Sequence, residues 1–117
     1  KALRTTNQGL IESYVHNGNR IGALVEINCE TDFVARTPDF QQLAHDIAMQ
    51  VAAMSPTYID VSDIPKEDNI VTEKDCLMQQ PFIKDPAKTV QDMVEETVGK
   101  IGENVKVRRF YRISLGE

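Results

Sequence analysis

The chain has 117 residues, of which 41% are hydrophobic and 26% charged, values that suit one globular domain with a real core. A formal net charge of -5 argues against a general nucleic-acid binder, which carries a basic surplus. No apolar run approaches the roughly 20 residues that span a bilayer, and no signal-peptide pattern stands at Lys1, so a soluble domain with no membrane contact is expected.

Residues 1–8 are polar and unpatterned and read as an incoming linker. Two strands follow. Over 9–16, Leu10, Glu12, Tyr14 and His16 alternate with Ile11, Ser13 and Val15; over 20–28, Ile21, Ala23, Val25 and Ile27 alternate with Gly22, Leu24, Glu26 and Asn28. Asn17-Gly18 between them tolerates positive φ and predicts an antiparallel hairpin. A polar corner, Asn28 to Asp32, ends the second strand. Thr37 then caps a helix with Pro38 in its first turn. Phe40, Leu43, Ala44, Ile47, Ala48, Val51 and Ala52 form its apolar stripe, thinned by alanines for close approach to a sheet, and Ser55-Pro56 ends it.

From 57 to 88 the pattern dissolves into loops and at most a short turn, marked by Pro65, Pro81, Pro86 and the charged run Lys66-Glu67-Asp68. A second helix starts at Thr89, with Asp92 completing a capping box. Val90, Met93, Val94, Val98 and Ile101 share one face, and Gly102 stops it. The last segment, 104–115, alternates again. Val105, Val107, Arg109, Tyr111, Ile113 and Leu115 fall on one face; Lys106, Arg108, Phe110, Arg112 and Ser114 fall on the other.

These elements predict an α+β fold, a three-stranded antiparallel sheet with helices packed on one face. The uncovered face is left to water or to another chain. Arg108, Phe110 and Arg112 read as that face and as a candidate dimer surface.

The chemistry-bearing residues are sparse. Cys29, His16 and His45 have no local arrangement of a nucleophile and base. The two cysteines and two histidines lack zinc-site spacing, and the six glycines are dispersed rather than gathered in a phosphate loop. No catalytic residue, metal site or cofactor is expected. Cys29, ending a strand, and Cys76, in the irregular segment, are expected as free buried thiols of a reducing compartment. Lys106, Arg108, Arg109 and Arg112, interleaved with Phe110 and Tyr111, hint at RNA, but arginines paired with acids explain them more simply given the negative net charge.

Asp32-Phe33 admits two readings. Phe33 packs under the helix that starts at Thr37 while Asp32 accepts backbone N–H bonds, or Phe33 projects outward to meet something. Here a family resemblance enters. Asn28-Cys29-Glu30-Thr31-Asp32-Phe33-Val34-Ala35 closely resembles the N-C-E-T-D-F-V-A segment of translation elongation factor Ts. Residues 9–16, 20–26 and 43–50, then Gln80-Pro81-Phe82-Ile83-Lys84-Asp85 and Lys100-Ile101-Gly102-Glu103-Asn104-Val105, are similar to further family blocks in the same order.

The resemblance implies the core, or dimerisation, domain at 9–117, preceded at 1–8 by the tail of a linker from an N-terminal helical domain. It implies guanine-nucleotide exchange on elongation factor Tu, in its GDP-bound and nucleotide-free states, with no cofactor and no bond chemistry. By the same resemblance Phe33, with Asp32 beside it and Thr31 and Val34 flanking, wedges near the partner's magnesium-binding elements. A single copy of the unit resembles the homodimeric members, and the place of action is the bacterial cytoplasm or the plastid stroma. The family's helical stretch before Gln80-Pro81-Phe82 is cut here to a short loop. Two rivals stay open: a structural or ribosome-associated domain of the same fold without exchange activity, and an RNA-binding module.

Overall fold

The structure, a computed structural model, describes residues 4–117. In chain order the elements are β1 (Gln8–Val15), β2 (Ile21–Cys29), α1 (Asp32–Ala35), α2 (Pro38–Met54), β3 (Pro81–Phe82), β4 (Asp85–Thr89), α3 (Val90–Ile101) and β5 (Lys106–Ser114). Of the predicted linker, residues 1–3 lie outside the described residues, and Gln8 already belongs to β1.

The main sheet is antiparallel in the order β1-β2-β5, with β2 central. Helix α2 lies across all three strands, and α3 packs on α2. The expected α+β fold with helices on one face is therefore the observed one. Alternation along β2 puts Ala23, Val25 and Ile27 into the core opposite the α2 stripe of Phe40, Leu43, Ala44, Ile47, Ala48 and Val51, all buried. Ala44 and Ala48 in that stripe, with the buried Ala52 beyond it, thin the helix on the side of the sheet, and the branched residues of β2 fill the space.

The helix ends follow the sequence closely. The Thr37 hydroxyl accepts from Phe40 N at 3.3 Å, Pro38 sits in the first turn, and Ser55 closes α2 in a left-handed conformation. Thr89 and Asp92 exchange the two bonds of a capping box, and Gly102, at φ 74°, caps the other end of α3. The β1–β2 connection is longer than a two-residue turn: it takes residues 16–20, with positive φ at Gly18 and Asn19. At Gly9, φ is 143° and a Cβ would stand 2.0 Å from the Ile27 carbonyl oxygen, so only glycine lets the two strands approach there.

Between 57 and 88 the sequence predicts loops, but this segment is organised. It holds three 3-10 turns and the β3–β4 hairpin. Gln50, fully buried on α2, holds it in place. Its amide nitrogen donates to Gln80 Oε1 at 3.2 Å and to the Pro81 carbonyl at 3.0 Å, while its oxygen accepts from Ile83 N at 3.0 Å. Gln80 in turn donates to the Lys74 carbonyl at 3.0 Å. Two buried amides, with all their polar atoms partnered, replace the regular ladder that this stretch lacks.

Candidate functional site

Helix α1 is one turn, and its sequence explains why it stands at the strand end. Thr31 is its N-cap, with the hydroxyl accepting from Val34 N at 3.2 Å. At its other end Thr37 does double duty: its hydroxyl donates to the Val34 carbonyl at 2.7 Å while accepting from the first turn of α2. Val34 and Ala35 turn into the core, at 7% and 4% exposure. Phe33 is thereby turned the other way and is 81% exposed. Asp32 is also exposed and pairs with Arg36 one turn on, at 2.8 Å.

Of the two readings of Asp32-Phe33, the structure therefore excludes packing of Phe33 beneath α2. A phenyl ring in water is unremarkable alone, yet this one is carried by a turn whose next two residues are fixed in the core. Among the described residues no backbone N–H donates to Asp32 either. That task falls to Glu103, just past the end of α3: its carboxylate accepts from Glu30 N and Thr31 N, each at 3.1 Å, and from the Thr31 hydroxyl at 2.7 Å. Glu30 reaches back, accepting from Asn104 N at 2.6 Å and from Arg4 at 3.4 Å. The Cys29 thiol donates to the Thr31 carbonyl at 3.2 Å; burial, reinforced by Glu103, pushes it above the usual thiol range.

The two flanking residues singled out in the sequence differ: Thr31 stays exposed, and Val34 is buried. Thr31 spends its hydroxyl on the cap and on Glu103, and Val34 anchors the turn from below. The exposed tip consists of Thr31, Asp32, Phe33 and Arg36, with the Thr31 hydroxyl already engaged.

The predicted dimer face requires a correction. Strand β5 pairs Val107 with Ile27 and Arg109 with Glu26, although Ile27 and Glu26 are consecutive, so Arg108 is the extra residue of a β-bulge. One inserted residue reverses every later side chain. Phe110 consequently packs against the core, and Arg112 turns to the helix side, where its Nε donates to the Ala52 carbonyl at 3.0 Å. Arg108 stays exposed and bonds Asn28 and Glu26. The open face is instead Ile11, Val15, Leu24, Tyr111 and Ile113, all exposed, with Leu24 paired to Tyr111 and Gly22 to Ile113.

The bulge also divides the basic residues that hinted at RNA. Arg112 lies under the sheet, and Arg109 pairs with Glu26 at 2.8 Å. A hydrogen bond from Asn28, joined by Arg109 and Arg108, holds the Glu26 carboxyl below its usual range. Both cysteines are free and buried, as the sequence predicts, and burial raises both thiols. His16 is hydrogen-bonded to Tyr14, and His45 stands 3.7 Å from Glu12. Among the described residues no group of three or more His, Cys, Asp or Glu side chains could hold a metal ion, and no helix is long and apolar enough to cross a membrane.

Comparison with known proteins agrees with the motif order. The family model described as elongation factor TS matches residues 1–75. Elongation factor Ts of Methylacidiphilum infernorum (isolate V4) is 45% identical over 145 aligned positions that take in 100% of this chain and 72% of the relative. The elongation factor Ts of Heliobacterium modesticaldum is 45% identical, covering 100% and 68%, and that of Caldanaerobacter subterraneus subsp. tengcongensis 42%, covering 100% and 74%. The 145 positions exceed the 117 residues of the chain, so the relative carries residues within the matched span that have no counterpart here. A family model over more than half of the chain, and relatives matched along all of it, show that the chain belongs to the elongation factor Ts family.

Proposed function

We propose that this chain binds elongation factor Tu and accelerates release of its GDP, the exchange for which the family is known. The observation that carries this reading is the 81% exposed Phe33 on a turn whose Val34 and Ala35 are locked in the core. Burying that ring against a partner is worth about 2 kcal/mol, and a pre-ordered turn delivers it with little loss of freedom.

In this proposal Phe33 enters the partner beside the elements that support its magnesium ion. Magnesium bridges phosphates and protein, so displacing its support weakens nucleotide binding without contact to the base. Asp32 competes there for donors once it leaves Arg36, an exposed ion pair that costs little to break. Linkage makes the effect reciprocal: a partner that lowers nucleotide affinity is itself expelled when nucleotide returns. The chain supplies displacement and no reacting group. The test is the release of fluorescent GDP from elongation factor Tu. Acceleration by this chain, abolished by Phe33→Ala, supports the reading; binding without acceleration favours a structural domain of the same fold.

We also propose a homodimer through the open sheet face, with Leu24, Tyr111 and Ile113 central in place of the residues expected from the sequence. These side chains form an apolar surface whose far end carries the Glu26–Arg109 pair, so two copies can bury the apolar end and keep charges at the rim. Sedimentation of a monomer at micromolar concentration would defeat this proposal.

A further inference from the structure

Glu103 bonds none of Asp32, Phe33 and Arg36, yet it accepts three hydrogen bonds from the corner beneath Phe33. We propose that Glu103 is a positioning residue for exchange: by clasping Glu30 and Thr31 it sets the angle at which α1 presents Phe33. The proposal rests on the exchange reading above.

Helix α1 has four residues, and a single turn does not hold its own geometry in water. Its orientation must come from what grips it. Val34 and Ala35 fix its underside, but two adjacent anchors leave the turn free to pivot about them. The Glu103 carboxylate removes that freedom at the N-terminal end, through two backbone N–H groups and one hydroxyl. These are charge-assisted bonds, stronger than those to a neutral acceptor.

The clasp is also well founded. Glu103 follows Gly102, the left-handed cap of α3, so its backbone is placed by a helix whose Val90, Met93 and Val94 lie in the core. The grip is reciprocal, since Glu30 accepts from Asn104 N, and the two corners lock each other. The Thr31 hydroxyl passes the constraint on: it donates to Glu103 and accepts from Val34 N, so the clasp is bonded directly to the turn carrying Phe33. A Glu103 that merely satisfied loop N–H groups would contribute stability alone. A positioning Glu103 acts after docking, on how effectively Phe33 displaces its target, and therefore through Phe33.

The experiment is the rate of fluorescent GDP release from elongation factor Tu against concentration of this chain, for the native sequence, Glu103→Ala, Phe33→Ala and their double variant. Circular dichroism melting accompanies each. We expect Glu103→Ala to lower the saturating rate about tenfold or more, with a smaller change in half-saturation, because misplacement by about 1 Å suffices for such losses. Glu103→Gln, whose amide oxygen still accepts from both backbone N–H groups, should retain most of the rate. The double variant should match Phe33→Ala alone. If Phe33→Ala abolishes acceleration while Glu103→Ala leaves the saturating rate intact, or if the two losses multiply, the positioning role is overturned and the exchange reading survives. An undiminished Phe33→Ala overturns both. Should Glu103→Ala fail to fold, Thr31→Val decides: it cuts the hydroxyl link and keeps the backbone bonds, so a lowered saturating rate upholds the proposal and an unchanged one refutes it.

Discussion

Phe33 and the open face of the sheet are both apolar and both in water, but they are constructed in opposite ways. Phe33 is one ring on a four-residue turn, held by two core residues below and by the Glu103 carboxylate at its end. The open face is a broad surface of Ile11, Val15, Leu24, Tyr111 and Ile113, spread over three strands and backed by the core. A protruding ring concentrates its contact on one point of a partner and can displace what it meets. A surface spread over a whole sheet can only be covered. The difference teaches that exposed hydrophobicity alone does not name a task; the stiffness and shape of what carries it do.

The sharpest way to break this contrast is at Phe33. Phe33→Ala should lower the saturating rate of GDP release by about 30-fold or more, the equivalent of about 2 kcal/mol. Stability should move by no more than about 0.5 kcal/mol, because the ring touches little of its own chain; a melt beside the kinetic trace checks both. Gln50→Ala strikes neither surface and serves as the reverse case. It strands the Ile83 N–H, the Pro81 carbonyl and the Gln80 amide, so urea unfolding should show a loss of about 2 kcal/mol. Exchange by the folded fraction should stay near the native rate.

Tyr111→Lys tests the sheet surface. Its side chain is 62% exposed, so the monomer should keep its stability while the dimer dissociation constant, read by sedimentation, rises about tenfold. The smallest effect belongs to Glu26 at the polar end of the same face. Its folded value lies below its ordinary 4.5, chiefly through Asn28, so its contribution is complete above 4.5 and is lost as the pH falls through the lowered value. A slight drop in melting temperature on acidification below 4.5, smaller in Glu26→Gln, where Asp60, also held low, still contributes, is the expected signature.

Much of this was legible in the sequence wherever a local rule governs. The stripe from Phe40 to Ala52, the caps at Thr37 and Thr89 and the stop at Gly102 follow from side-chain periodicity and backbone chemistry, and the structure contains them. Asp32-Phe33 was visible as a motif, but which way Phe33 points depends on Val34 and Ala35 finding the core, a tertiary fact. The bulge at Arg108 was not legible: it comes from pairing against β2, and it reversed the faces of Phe110 and Arg112. Gln50 was hidden because a polar residue beside an apolar stripe reads as solvent-facing, although its spacing from Ile47 places it under the β3–β4 hairpin. Glu103 lies 72 positions from Thr31, and no local pattern announces a partner at that distance.

The most direct test sets the two surfaces against each other in one experiment. GDP release from elongation factor Tu and self-association are measured together for Phe33→Ala and Tyr111→Lys. The account predicts that Phe33→Ala loses acceleration and keeps the dimer, while Tyr111→Lys weakens the dimer and leaves the tip intact to release GDP. Full acceleration by Phe33→Ala would contradict it, whatever becomes of the dimer.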